Sequence, residues 1–304
     1  MNPMDVVRVI FARISGGEVD AAMEIVLFRL RVPRALASIL IGAALSVSGA
    51  AYQSALRNPL VSPDLLGVSA GATVGAAVAI YFGLPLISLQ IFAFGGGMLA
   101  VVLATTLPKI MRNSTSMMLV LSGIIVSGLM NSILGIIKLL SRETDQLSSI
   151  VFWQMGSLAQ INSTQLAAIA PPILIGLAGM ISISWRMNIL SFGEQEAKTV
   201  GVNVLKLRGI IIVCASLLTA CSVSISGTIG WIGLIIPHFG RLICGSDNTK
   251  LLPVTALLGG SFLLVIDTIA RTATTLEIPL SILSGLVGAP LYAWLLYRQR
   301  ARVI

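Results

Sequence analysis

The sequence predicts an all-α polytopic membrane protein, and three observations carry that prediction. Of the 304 residues, 56% are apolar and only 11% are charged, against about 25% charged in a soluble domain. So little charge cannot cover a water-facing surface, so most of this surface must face lipid. Apolar stretches near the roughly 20 residues needed to cross a bilayer recur along the whole chain. The Lys and Arg residues behind the net charge of +8 sit at the ends of these stretches, as orientation signals do, and not in a patch fit for nucleic acid.

The elements follow in order. Met1–Gly17 lacks the apolar core of a signal peptide and reads, through Val6, Val7, Ile10, Phe11 and Ile14, as a short amphipathic helix; residues 1–34 form a segment outside the first span. Spans are expected at about Ala35–Leu56, Leu65–Phe82, Ile87–Leu107, Met117–Leu140, Gln165–Ser184, Gly209–Ser226, Ile232–Cys244, Leu251–Ala273 and Leu280–Tyr297. That is nine crossings in a single membrane domain covering residues 1–304. Ile232–Cys244 is short and holds Pro237, which suits a short or broken helix. Ile150–Ala159, with Trp153, is too short to span.

The longest polar stretch is 187–208. Placing it in the cytoplasm puts twelve basic residues on that side, among them Arg57, Lys109, Arg186, Arg208 and Arg298, and eight on the other. This sense satisfies the positive-inside rule, leaves the C-terminus cytoplasmic and puts the N-terminus outside. Within the loop, Ser191 is placed to cap a short helix with Glu194 three residues on. Gly201 is placed to stop it, and a second turn is expected at Val204–Arg208. A helix, a glycine break and a helix make either an ordinary ordered loop or a knob for a soluble partner.

Glycines 67, 71 and 75 form two overlapping GxxxG repeats, and Gly95, Gly96 and Gly97 cluster one span later. Close helix packing is the favoured reading, and a ligand-lined path the alternative. Several chemistries are missing. No GxxxxGK[ST] holds nucleotide phosphates, and HExxH and CxxC are absent. Cys214, Cys221 and Cys244 read as small hydrophobes, and His238 as a packed residue. Asp267 and Arg271 lie four residues apart inside one span, on one helix face where they can pair. The pair is read first as structural. As an intramembrane charge, Asp267 is otherwise a proton site, which would make the chain a proton-coupled secondary transporter.

Six segments taken together resemble one family: RLRVPRALASILIGAALSVSGAAYQSALRNPLVSPDLLGVSAGA, FWQMGSL, SFGEQEAKTVGVNV, SGTIGWIGLIIPHFGRL, LLPVTALLGG and IPLSILSGLVGAPLYAWLL. They are similar to the permeases of binding-protein-dependent ABC importers for ferric siderophores, haem and vitamin B12 (the FecCD type), from about Arg29 to Arg298. The resemblance implies the type II ABC importer permease fold with ten helices, the first of which would precede Met1. It also implies a multi-pass subunit of the bacterial inner membrane with no cofactor, metal or catalytic residue of its own.

Its partners would be two ATP-binding subunits, a second permease that is identical or paralogous, and a substrate-binding protein. The implied cargo is an iron–siderophore or similar metal chelate. By the same resemblance, Gly193, Glu194, Glu196, Ala197 and Gly201 couple to the ATPase, and Arg31, Arg34 and Arg271 dock the binding protein. Ser114, Thr115 and Ser116 form an inner gate.

Overall fold

The computed structural model describes residues 6, 8–9, 11, 13, 15, 21–113, 115–142, 145–193, 197, 199 and 201–300, with the side chains at 192, 296, 299 and 300 excepted. Among the described residues, eleven helices follow in order: α1 Ala21–Leu56, α2 Val68–Tyr81, α3 Leu86–Ile110, α4 Ser116–Leu140, α5 Gln146–Met155, α6 Ser163–Ser182, α7 Ser184–Phe192, α8 Val204–Ser226, α9 Ile232–Cys244, α10 Asn248–Thr272 and α11 Leu280–Arg300. No strand occurs among the described residues. Six helices (α1, α3, α4, α6, α8 and α10) are long and apolar enough to cross a membrane. The apolar stretches in α2, α9 and α11 are shorter.

α1 is the hub. Within its spanning window, 78% of the residues are buried inside the subunit, compared with 22% for α3 and 17% for α6. α10, α8 and α9 pack around it, so its polar residues must find partners there. Ser46 donates to the Thr255 carbonyl at 2.7 Å, Ser48 to the Ala215 carbonyl at 2.8 Å, and Tyr52 lies 2.5 Å from the Ser216 hydroxyl. The widened π turn Val26–Arg31 in α1 lies just before Pro33, whose ring excludes an ordinary α-helical bond to the preceding turn. Arg57, in the left-handed region at φ 52°, ends the helix.

Glycine sets the helix spacing where backbones touch. A Cβ on Gly49 would stand 1.9 Å from the Gly233 carbonyl oxygen, and one on Gly75 1.9 Å from that of Phe92. Gly71 and Gly75 therefore pack α2 onto α3, as the favoured reading expected, while Gly67 faces Ser127 and Val126 of α4. Gly95 faces open space. Gly49→Ala should consequently cost about 1–3 kcal/mol or more through overpacking, while Gly95→Ala should leave stability unchanged or raise it. The fraction of each variant that stays monodisperse after detergent extraction and heating checks the contrast.

Three local expectations are corrected. The second span begins at Val68, not Leu65, because Pro63–Leu66 forms a 3-10 turn that ends at Gly67, φ 79°. This leaves α2 as one of the shorter apolar helices, well under the length that crosses a bilayer unaided. Ser191 does not precede a helix: it lies inside α7 and donates back to the Met187 carbonyl at 3.4 Å. No separate turn forms at 204–208, because Asn203 caps Lys206 (3.0 Å) and starts α8 there, five residues before the expected span.

Candidate functional site

Two polar clusters lie at opposite ends of the α1–α10 pair. These helices approach so closely that a Cβ on Gly42 would sit 2.2 Å from the Gly259 carbonyl oxygen. Whatever moves one helix therefore moves the other.

At one end, Arg34 of α1 is clamped by two carboxylates. Its Nε meets both oxygens of Asp267 at 3.0 Å, and its Nη2 meets Oδ1 at 2.8 Å. Nη1 and Nη2 also reach Glu277, on the loop after α10, at 2.8 and 3.1 Å. The Asp267 side chain is 2% exposed and that of Arg34 11%, whereas Glu277 is 41% exposed. A planar guanidinium suits this double fork as no ammonium could. The expected pairing of Asp267 with Arg271 is therefore corrected: Asp267 is held across helices by Arg34, and the buried Nε of Arg271 meets no hydrogen-bond partner among the described residues. Arg34, expected to face a docking partner, spends its donors inside the subunit. Arg31, in the π turn, is half-buried.

Glu277 also lines a cavity of about 680 Å3 at this end, with Gln90, Gln160, Gln165 and Trp153 around it. Nearby, Lys138 of α4 donates to Gln154 of α5 at 2.8 Å.

The other end holds the loop after α7. Asn188 of α7 donates to Asp247 at 2.6 Å and accepts from the backbone and side-chain nitrogens of Asn248, both at 2.8 Å. Asn248 in turn accepts from Ser54 of α1 at 2.7 Å. Asp247 caps α10 through Thr249. The hydrogen bonds from Thr249, then that from Asn188, hold its carboxyl below the usual carboxylate range. Arg208, buried at the start of α8, donates to the Ala55 carbonyl of α1 at 3.3 Å. α7 is thereby tied to the facing ends of α1 and α10.

Of the loop residues singled out by the sequence, Gly193 is buried with φ 133°, a backbone open to glycine, and Ala197 is fully buried. Gly201 sits at φ 79°, where the bond from the Val202 N–H to the Ala197 carbonyl, 3.0 Å, closes a helical turn. Gly201 thus does end a turn. Glu194 and Glu196 lie outside the described residues, as does Ser114. Thr115 caps α4 by accepting from the Met118 N–H at 3.3 Å, and Ser116 is the first residue of that helix. Among the described residues no His, Cys, Asp and Glu cluster could hold a metal. His238 packs edge-on against Tyr292, 6.0 Å between centroids.

The family model of the FecCD transport family matches residues 1–298. The chain belongs to this family. The molybdate import permease MolB of Haemophilus influenzae is 40% identical over 295 residues, spanning 96% of this chain and 87% of that one. A permease of Helicobacter pylori named for iron chelatin transport is 37% identical over 280 residues, spanning 92% and 85%. A solved structure presented as a metal-chelate type ABC transporter in an inward-facing conformation superimposes with a TM-score of 0.88 at 38% identity, covering 97% of each chain. The chain is thus a multi-pass transport permease with the fold that its motifs implied.

Proposed function

We propose that this FecCD-family chain is the membrane half of an ATP-driven importer for an iron–siderophore or similar metal chelate. In this reading the cargo arrives on a binding protein, and partner subunits hydrolyse the ATP. The observation that carries it is the full-length likeness, in sequence and fold, to a metal-chelate type transporter. The sequence holds no P-loop motif, so in this reading work enters through contact with the ATPase. The 187–208 loop, with Gly193, Glu194, Glu196, Ala197 and Gly201, is the coupling element. That end is cytoplasmic and carries the inner gate at Ser114, Thr115 and Ser116; the Arg34 end faces outward. Docking of acidic groups on the binding protein, by charge-assisted hydrogen bonds, falls to Arg31 and to Arg271. Arg34, already clamped, positions that face.

The test is uptake of a ferric hydroxamate into proteoliposomes holding the chain, its ATPase and its binding protein. Uptake that requires ATP and all three components is expected. Uptake driven by a proton gradient without the ATPase would overturn this reading and favour proton coupling at Asp267.

A further inference from the structure

Asp64 is a carboxylate at membrane depth that no role above explains. It lies in the 3-10 turn between α1 and α2. That turn is not at the end of the bundle. Pro63 lies beside Gly233, since a Cβ there would stand 2.8 Å from Pro63 Cδ, and Gly233 touches Gly49 of α1. Gly49 precedes Leu56, the last residue of α1, by about two helical turns. The turn therefore runs back into the inner half of the membrane.

Three helices surround this point. On the α4 side, a Cβ on Gly123 would meet the Leu65 carbonyl at 1.9 Å. α9 begins beside it, just after Trp231, and the Trp231 side chain packs along Gly285 and Gly288 of α11. Trp231 holds φ 72°, a left-handed conformation that costs a bulky residue about 1–3 kcal/mol. Asp64, Ser62, Gly230, Trp231, Gly233 and Leu234 line a cavity of about 240 Å3. The Ser69 hydroxyl donates to one Asp64 oxygen, yet the residue remains exposed on the subunit surface. For an exposed carboxylate at this depth, the cost of a charge against hydrocarbon favours a water-facing surface here.

We propose that Asp64 lines the aqueous path through the importer and gives it a negative potential that selects neutral or cationic chelates over anionic cargo. This rests on the import reading above, and it adds the charge class of the cargo and the residue that sets it. The strained Trp231 fixes the opposite wall of the same cavity, so the charge sits in a constriction and not in bulk water.

Charged thiol reagents test this without knowledge of the cargo. In the complete transporter, with Cys214, Cys221 and Cys244 replaced by alanine, Ser62→Cys places a thiol in the cavity beside the intact carboxylate. Its labelling rates with a trimethylammonium-bearing and a sulfonate-bearing methanethiosulfonate are then compared. One charge about 6 Å away in water changes each rate by roughly threefold in opposite senses. The cation-to-anion ratio should therefore fall about tenfold on adding Asp64→Asn and persist with Asp64→Glu. An unchanged ratio, or no labelling at rest and during ATP turnover, would overturn the proposal. ATP-driven uptake by the cysteine-replaced chain with Asp64 intact tests the import reading separately.

Discussion

Arg34→Met is expected to destabilise the subunit by about 3–5 kcal/mol, the usual cost of leaving one member of a buried ion pair without its partner. Asp267 would bear that cost, because its side chain is 2% exposed and Arg34 supplies the hydrogen bonds to it from outside its own helix. Glu277, at 41% exposure, can turn to water. This asymmetry predicts the outcome of the double variant. Arg34→Met with Asp267→Leu removes both buried charges and should recover most of the loss, leaving only Glu277 to be solvated. Arg34→Lys should fall between, since an ammonium cannot meet both carboxylates as a fork does. Thermal unfolding of the detergent-solubilised protein ranks the variants. If the double variant is no more stable than Arg34→Met, the lost packing of the arginine stem, and not the orphaned carboxylate, sets the cost. Arg271, one turn from Asp267, is the internal competitor. If it swings over to replace Arg34, adding Arg271→Met will deepen the loss.

That competition also shows where sequence reasoning stops. The positions of the apolar helices were legible because lipid leaves the chain little choice: each span must be apolar and close its own backbone bonds. The GxxxG repeats were legible for a similar reason, since small residues at that spacing have few uses other than contact. Asp267 was also legible as a charge in need of a partner. The partner was not, because spacing rules reach only one turn along a helix. They named Arg271, whereas the fold brings Arg34 from 233 positions away.

The loop misled for a related reason. Ser191 and Glu194 fit a capping pattern, but Met187 and Leu190, both buried, extend α7 through Ser191, and core packing decided the boundary. Asn188, in the middle of α7, carries no signal at all. The cap at Asp247 did leave one: an Asp and an Asn ahead of an apolar run mark a helix start. Asp64 was overlooked because the sequence placed the start of the second span at Leu65, which left the preceding turn at the membrane surface.

Asn188→Leu is expected to uncouple the transporter rather than unfold it. The change removes the acceptor of two Asn248 donors and the donor to Asp247. Asn248 is 1% exposed, and an unsatisfied buried group costs about 1–3 kcal/mol. A subunit held by the α1–α10 contact and the Arg34 clamp can absorb that. What it loses is the tie between α7 and the two helices whose far ends carry the Arg34 cluster. If force enters at the 187–208 loop, it reaches the opposite face only if α7 moves with α1 and α10. ATP hydrolysis by the reconstituted complex should therefore persist within about twofold of the parent, while chelate uptake per ATP falls at least tenfold, the equivalent of about 1.4 kcal/mol of lost coupling. Ser54→Ala removes a more peripheral bond of the same network and should have a smaller effect in the same direction. Uptake and hydrolysis falling in parallel would show that Asn188 merely supports docking of the ATPase. A change in their ratio is the signature of a tie that transmits motion, since a loss of folded protein would scale both activities alike.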